Sequence, residues 1–272
     1  MNLHFLLTLP SLLACFLLAG GQPAPLRHLQ SLDVRARQVQ ADPLGKIYWL
    51  DEGGMSRLDP ATGKVIHYSN RRQGPASILD ASDPLNILLF YQGTGVIEFL
   101  DKNLAPKNFH NPVEGWPDTG LPSLVCVSRQ EGFWAYFPQS MSLKRYDMRF
   151  RPQSVADNIG QHLPAFTDPV FMTESQNRLF IKGRNGDVFV FDSFANFLFS
   201  IPAVDSGHFQ VKDDHLIYFT SNKMHLFNFI KRTESVFLLP QENVVRGFLQ
   251  GQQLIIQSST GIHRYILTGE IF

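Results

Sequence analysis

Two segments of the chain follow one order of residue types. Residues 42–59 read "DPLGKIYWLDEGGMSRLD", and residues 83–101 read "DPLNILLFYQGTGVIEFLD". Both begin with Asp-Pro-Leu, continue through an apolar run, break at glycine, resume and stop at Leu-Asp. The apolar runs are rich in β-branched and aromatic residues, which favours strands over helices. A pattern repeated in this way limits the chain to folds built from copies of one supersecondary unit.

Four more segments follow the same order. They read "EGFWAYFPQSMSLKRYD" (131–147), "NRLFIKGRNGDVFVFD" (177–192), "DDHLIYFTSNKMHLFN" (213–228) and "QQLIIQSSTGIHRYIL" (252–267). Each contains an apolar strand, a short polar or glycine-containing turn and a second strand, and all but the last stop at Asp or Asn. The stops recur every 36–46 residues. Alternation in "DVFVFD" and "GIHRYIL" has the period of half-buried strands.

Each strand pair also has outer members. Short apolar strands precede the pairs, as in "SILD", "LVCV", "PVFM", "HFQV" and "VVRGF", and further strands follow, as in "GKVIHY" and "NFLFSI". Four antiparallel strands in about 40–45 residues form one blade of a β-propeller. The sequence therefore predicts an all-β fold, a single β-propeller of about six four-stranded blades between Gln38 and Phe272. A β-helix or a β-sandwich is the alternative architecture.

The two ends of the repeat region complement each other. The sixth unit finishes at "LTGEIF", where a fourth strand has barely begun. Near the amino terminus, "SLDVRAR" alternates Leu32, Val34 and Ala36 with charged residues and belongs to no unit. We expect this amino-terminal strand to complete the last blade and close the ring, since closure covers an exposed sheet edge.

The first 21 residues have the composition of a secretory signal. An uncharged apolar run, "LHFLLTLPSLLACFLLAGG", ends in small residues before Gln22. We expect a signal peptide at 1–21, a propeller domain at 22–272 and export to the periplasm or cell envelope, with no transmembrane span in the mature chain. The alternatives are a lipid anchor through Cys15, because Leu12-Leu13-Ala14-Cys15 resembles a lipobox, and an uncleaved anchor.

Composition and motifs narrow the functional classes. The 24 Lys and Arg residues balance 24 Asp and Glu residues, so the chain lacks the basic excess that nucleic-acid binding usually needs. It contains no HExxH, paired CxxC, P-loop or nucleophile-elbow motif. We therefore predict no cofactor, no metal site and no catalytic residue. Cys126, alone in "LVCV", is expected to be a small buried hydrophobic residue.

Acidic residues follow several of the expected inner strands. They are Asp42, Asp80, Glu174 and Asp213. Such side chains could surround the central channel of a propeller. The alternative is that they stabilise turns, as Asp often does.

The blade pattern resembles known propeller families. "IYWLDEGGMSRLDPATGKVI" is similar to blades of the YWTD, NHL and quinoprotein-type propellers, and residues 30–272 resemble uncharacterised secreted propeller-like proteins of bacterial cell envelopes, through "DPLNILLFYQ" and "GDVFVFDSFANFLFSI". The resemblance implies the propeller fold and no particular activity. The Gly-His and Trp-Asp pairs of WD40 repeats do not occur, and the first unit reads Tyr48-Trp49-Leu50-Asp51 where YWTD blades have Thr.

Loop length points to one face of the ring. Three connections between blades are long: "SNRRQGPAS" (69–77), "HNPVEGWPDTGLPS" (110–123) and "VADNIGQHLPAFTDP" (155–169). They lie on the face that usually binds ligands, and Trp and Arg are frequent binding anchors. We predict Arg71, Arg72, Trp116 and His162 as binding residues. For Trp116 the alternative is that it folds down over the ring.

These observations favour a non-catalytic binding or scaffold propeller. Its partner is expected to be a protein or an envelope component that binds the long-loop face, and the propeller is expected to be a monomer. The alternative is a hydrolase, lactonase or lyase with acidic and His residues at the mouth of the channel. Three or more convergent side chains of those types would favour the enzyme.

Overall fold

The structure is a computed structural model that describes residues 22–110, 116, 120–166, 168–202 and 204–271. The first strands are β1 (Gln22–Pro23), β2 (Leu26–Leu32), β3 (Gln38–Ala41), β4 (Ile47–Leu50), β5 (Met55–Asp59), β6 (Lys64–Tyr68), β7 (Ile78–Asp80), β8 (Ile87–Tyr91), β9 (Val96–Leu100) and β10 (Pro106–His110). The next are β11 (Leu124–Ser128), β12 (Gly132–Phe137), β13 (Ser142–Tyr146), β14 (Pro152–Ala156), β15 (Pro169–Ser175), β16 (Arg178–Gly183), β17 (Val188–Asp192) and β18 (Phe197–Ile201). The last are β19 (Phe209–Lys212), β20 (His215–Thr220), β21 (Lys223–Asn228), β22 (Thr233–Leu238), β23 (Val244–Gln250), β24 (Gln253–Ser258) and β25 (Gly261–Leu267). The short helix α1 spans Ile159–His162.

Six antiparallel blades form the ring, which confirms the predicted β-propeller. Blades 1 to 4 are β3–β6, β7–β10, β11–β14 and β15–β18, blade 5 is β19–β22, and blade 6 is β23–β25 completed by β2. The first strand of each blade contacts the first strand of the next, and β23 contacts β3. These six strands therefore surround the central channel. None of the helical residues in the described ranges forms a segment with the length and apolarity that crossing a membrane requires.

The apolar core lies between neighbouring blades rather than inside each one. Six clusters of buried side chains fill the six junctions. In β8, Leu88 and Phe90 pack toward blade 3, whereas Ile87 and Leu89 pack toward blade 1. Both faces of such a strand are buried, so both need apolar residues. This explains the continuous apolar runs "IYWL" and "ILLFY". Cys126 lies buried in the junction of blades 3 and 4, as expected.

The amino-terminal segment closes the ring, but with a strand that begins earlier than predicted. β2 pairs antiparallel with β25, from Leu26 opposite Leu267 to Leu32 opposite Ile262. The predicted strand, 31–37, is mostly the connection to blade 1. The alternating apolar residues of this segment are nevertheless on one side, where Leu32, Val34 and Ala36 pack against the cluster that joins blades 6 and 1. Residues 1–21, predicted to be a signal peptide, lie outside the described residues.

The repeated stop residue has a structural role in the turn after the third strand. Oδ1 of Asp101 accepts hydrogen bonds from the backbone N–H groups of Asn103 and Ala105, at 2.7 and 2.9 Å. Asp147 and Asp192 accept the equivalent pair of bonds in the next two blades. These three units end at Asp because that carboxylate satisfies the backbone donors of the turn, as Asp does in Asx turns.

The Asp-Pro-Leu start of the pattern forms the turn between the first and second strands. Oδ1 of Asp42 accepts from the N–H groups of Leu44 and Lys46, both at 2.9 Å. Asp83 accepts from the N–H of Leu85 in the next blade. The duplicated segment is therefore the middle part of a blade, with its second and third strands. Blades 1 and 2 each contain one copy, which begins and ends at a turn that Asp stabilises.

Candidate functional site

A cavity occupies the central channel. It has a volume of about 320 Å³ and is lined by residues of all six inner strands. The charged or titratable groups in its wall are Arg37, Asp80, Arg129, Glu174, His208 and Arg246. Its apolar wall includes Phe171 and Phe248. A cavity near the small end of the range for ligand pockets suits a small molecule rather than a large cofactor.

The two channel carboxylates bind neighbouring blades. Asp80 Oδ2 in blade 2 accepts from the N–H of Val127 in blade 3, at 2.8 Å. Glu174 in blade 4 accepts from the N–H of Arg129, at 3.0 Å, and from Trp134 Nε1, at 2.6 Å, both in blade 3. Their oxygens therefore join the inner strands together. Asp42 and Asp213 do not line the cavity.

Two glutamines join other pairs of inner strands in the same way. The amide of Gln38 in blade 1 donates to the carbonyl of Leu79 in blade 2 and accepts from its N–H, at 2.7 and 3.1 Å. Gln210 in blade 5 makes the equivalent pair of bonds with Leu249 in blade 6, both at 2.9 Å. The amide groups of these glutamines are used in hydrogen bonds between neighbouring inner strands.

Arg246 is a buried cation of the cavity wall that forms no ion pair with the described residues. Its side chain is buried, with the residue 8% exposed, and lines the cavity. Nη2 donates to Nε2 of His208, while Nε has no hydrogen-bond partner among the described residues. Burial lowers the pKa of Arg246 to about 9, so the guanidinium stays charged at neutral pH.

His208 is neutral in this arrangement. Burial, Arg246 and Lys182 lower the pKa of His208 to about 3. A neutral imidazole that accepts at Nε2 carries its proton on Nδ1. The ring packs edge-to-face on Phe171, with centroids 5.1 Å apart. The partner of the buried guanidinium is thus an uncharged acceptor.

The predicted pair Arg71 and Arg72 is exposed on the connection between blades 1 and 2. Arg71 lines a shallow depression of about 220 Å³ between these blades. The N–H of Arg72 donates to Oδ1 of Asn70, at 3.2 Å, which fixes the backbone at the start of the pair. The guanidinium groups are therefore presented from an ordered turn.

A buried carboxylate holds the base of that turn. Glu98, 4% exposed, accepts hydrogen bonds from the hydroxyls of Tyr68 and Tyr91, at 2.6 and 2.9 Å. Asn70 Nδ2 approaches the same carboxylate at 3.4 Å. Burial and Glu98 raise the pKa of both tyrosines, so they remain donors at neutral pH.

Trp116 is buried, at 8% exposed, in the connection between blades 2 and 3. Its Nε1 donates to the carbonyl of Gly95, at 3.2 Å. The indole packs edge-to-face on Phe137 and Tyr146 of blade 3, with centroids 5.2 and 5.5 Å apart. This geometry matches the alternative in which the side chain folds down, and a direct binding role for Trp116 stays a prediction.

His162 ends the short helix in the connection between blades 3 and 4. Its side chain lies outside the part of the chain that the structure describes. The four predicted residues thus lie on three successive connections between blades, all on one face. Among the described residues, no three His, Cys, Asp or Glu side chains are placed to hold a metal ion together.

Arg246 and His208 were not among the predicted site residues. The available signal was weak, because an arginine within "VVRGF" and a histidine before "FQV" occur in strands of many kinds. Their contact depends on which residues of β19 and β23 lie opposite each other in consecutive blades, and alternation along each strand does not determine that.

Comparison with solved structures finds propeller folds of different functions. A chain of the mitotic checkpoint complex has a TM-score of 0.63 at 9% identity and covers 99% of each chain. The Pan2 WD40 domain of Neurospora crassa has 0.62 at 10%, covering 93% of this chain and 99% of its own. A streptogramin B lyase has 0.59 at 13%, covering 89% and 97%. Neither a family model nor a curated protein sequence matches the chain. These similarities show the fold alone.

Proposed function

We propose that this protein is a non-catalytic binding propeller, exported to the cell envelope, that engages its partner through the long-loop face. The observation that carries the proposal is the Arg71-Arg72 pair, which is exposed on a turn whose base is fixed by the buried Glu98 network. A rigid scaffold that presents exposed side chains on an ordered loop is the usual construction of a binding site.

The chemistry of the pair favours an acidic partner surface. A guanidinium forms two parallel hydrogen bonds with a carboxylate, and these charge-assisted bonds are stronger than neutral ones. The depression beside Arg71 is lined by Met55, Pro75 and Leu89 as well as by polar groups. It can receive an apolar side chain next to an acidic one.

The test compares two tandem basic pairs on opposite faces. Lys231 and Arg232 are also exposed and adjacent, but lie in a turn of blade 5 on the other face. Pull-downs from envelope extract would use wild type, Arg71→Ala/Arg72→Ala and Lys231→Ala/Arg232→Ala, each checked for folding. We expect the first double variant to bind one of the captured partners with roughly thirtyfold lower affinity, which is the usual cost of removing a binding hot spot. The second should retain that partner. Equal retention by both variants would contradict the proposal.

Export is tested separately, by the mass of the mature protein. β1 begins at Gln22, so removal of residues 1–21 would leave every described strand in place. We expect the mature mass to lack those residues. A soluble chain that retains Met1 would contradict export, and a lipid-sized addition on Cys15 would favour the anchored alternative.

The enzyme alternative predicts a different result from the same preparation. A propeller lyase or hydrolase would convert ester or lactone substrates, and a chelator would stop a metal-dependent reaction. Turnover that survives in Arg71→Ala/Arg72→Ala would show that the face carrying the pair is not the functional centre.

A further inference from the structure

We propose that the central channel contains a binding site for a small monocarboxylate, with Arg246 as the residue that recognises the carboxylate group. This site is distinct from the long-loop surface and does not depend on the function proposed above. It rests on the position of Arg246, on its hydrogen bonding and on the cavity that it lines.

The first step is the unmet requirement of the guanidinium. Arg246 is buried at 8% exposed and lines the cavity of about 320 Å³. A buried charge normally has a charged partner, because removing it from water is costly. Here the partner is the uncharged His208, and Nε is unsatisfied among the described residues. Nε is also shielded from the cavity, so what the side chain offers a ligand there is its uncompensated charge and its Nη edge.

The second step excludes the nearby acids as that partner. Asp80 and Glu174 line the same cavity. Each accepts hydrogen bonds from the backbone of blade 3, and Glu174 also accepts from Trp134. Neither forms an ion pair with Arg246, and no other acid of the described residues does. The counter-charge is therefore left for a ligand to supply.

The third step identifies the class of ligand. The two Nη groups of a guanidinium match the two oxygens of a carboxylate. One buried cation balances one negative charge, which suits a monoanion better than a dianion. Phe171, Phe248 and Val170 supply apolar wall in the same cavity. The fitting ligand is a small organic acid with an apolar body.

The probes are benzoate, hexanoate and acetate, each compared with its uncharged amide by isothermal titration calorimetry at fixed ionic strength. The amides keep the shape of each probe and remove the charge. We expect at least one acid to bind at one site, and its amide to bind at least tenfold more weakly, because a charge-assisted hydrogen bond is lost. If no acid binds at millimolar concentration, or if an acid and its amide bind equally, the proposal is wrong.

The matched variants are Arg246→Met and Arg57→Met. Arg57 is also 8% exposed and also has an unsatisfied Nε among the described residues, but it does not line the channel cavity. We expect Arg246→Met to weaken acid binding at least tenfold and Arg57→Met to leave it unchanged. Equal loss in both variants would overturn the assignment.

A third measurement separates recognition from a structural role of Arg246. A buried cation without a counter-charge destabilises the unliganded fold, and replacing it with an apolar side chain of similar length relieves that cost. We expect the Tm of Arg246→Met without ligand to be no lower than that of the wild type. A lower Tm would show that Arg246 serves the fold. If Arg246→Met does not fold, Arg246→Lys and the Nε–H NMR signal of wild-type Arg246, which should shift on adding acid, give the same decision.

Discussion

Gly261 occupies a position where the closing strand leaves no room for a side chain. It begins β25 with φ at 148°, and a Cβ added there would lie 2.2 Å from the carbonyl oxygen of Leu32. That oxygen belongs to β2, so any shift that relieves the contact disturbs the closure of blade 6. We expect Gly261→Ala to destabilise the protein by about 1–3 kcal/mol, the cost of a strained backbone position. This corresponds to a fall in Tm of roughly 2–4 °C per kcal/mol, measurable by calorimetry.

Gly93 provides the matched control for this substitution. It lies in the turn between β8 and β9, where an added Cβ meets nothing within 4 Å. Gly93→Ala should therefore leave the free energy of unfolding within about 0.5 kcal/mol of the wild type, as expected for a surface change. Equal effects of the two substitutions would show that the approach of Leu32 does not constrain Gly261.

At the same scale, the sequence could predict residue types better than residue partners. The sequence left open whether acidic residues surround the channel or stabilise turns, and the structure places Asp80 and Glu174 in the cavity wall. Neither their bonds to blade 3 nor the contact between Arg246 and His208 could be foreseen. Alternation along a strand tells which residues share a face. It does not tell which residue of another blade lies opposite, because that depends on how far each blade is rotated about the channel.

The turn after the third strand gives an element-scale prediction about acid stability. Hydrogen bonds from the backbone of Ala105 and Asn103 lower the pKa of Asp101. For Asp147 and Asp192, burial alone would raise the pKa, but the turn hydrogen bonds outweigh it and the pKa is lowered. A lowered pKa in the fold means that the stabilisation is complete above the unfolded value of about 3.9 and is lost as pH falls through the folded value. Stability should therefore fall below about pH 5.

The triple variant Asp101→Asn/Asp147→Asn/Asp192→Asn separates charge from hydrogen bonding. An amide oxygen can still accept in this turn, as Asn228 Oδ1 does in blade 5 from the N–H groups of Ile230 and Lys231. We expect a shallower loss of stability in acid, with little change at neutral pH, in urea titrations at several pH values. Asp157→Asn, at an exposed position outside these turns, should keep the wild-type profile. An unchanged slope in the triple variant would contradict the prediction.

For the secondary-structure elements, the order of the strands could be predicted from the sequence. The closing strand, however, lies earlier in the chain than predicted. The repeats located the four strands of each blade because both faces of the inner strands are buried and both are apolar. In the amino-terminal segment, "LRHLQSL" and "SLDVRAR" both contain spaced apolar residues. The alternation of Leu32, Val34 and Ala36 reports packing against the junction of blades 6 and 1 rather than strand pairing. Burial and hydrogen-bonded register are different constraints. Burial can be predicted from the spacing of apolar residues, whereas register cannot.

For the whole molecule, the amino-terminal segment joins two blades. β1 pairs parallel with β22 at the outer edge of blade 5, with Gln22 opposite Phe237, and β2 then completes blade 6. The N–H of Ala24 donates to the carbonyl of Leu238, at 3.0 Å, between these two pairings. One short segment therefore covers two sheet edges and packs Leu26 against the core shared by blades 5 and 6.

Deletion of residues 22–32 should destabilise the entire ring, since it exposes the edge of β25 and uncovers the apolar cluster beneath it. We expect a large fall in Tm and a tendency to associate through the exposed edge, measured by calorimetry and light scattering. A synthetic peptide of residues 22–37 added in trans should restore Tm, because β2 holds its place by backbone pairing and packing and not by covalent connection alone. A scrambled peptide of the same composition should not. If the truncated protein keeps its Tm, or if both peptides restore it equally, the amino-terminal strand is not what closes the propeller.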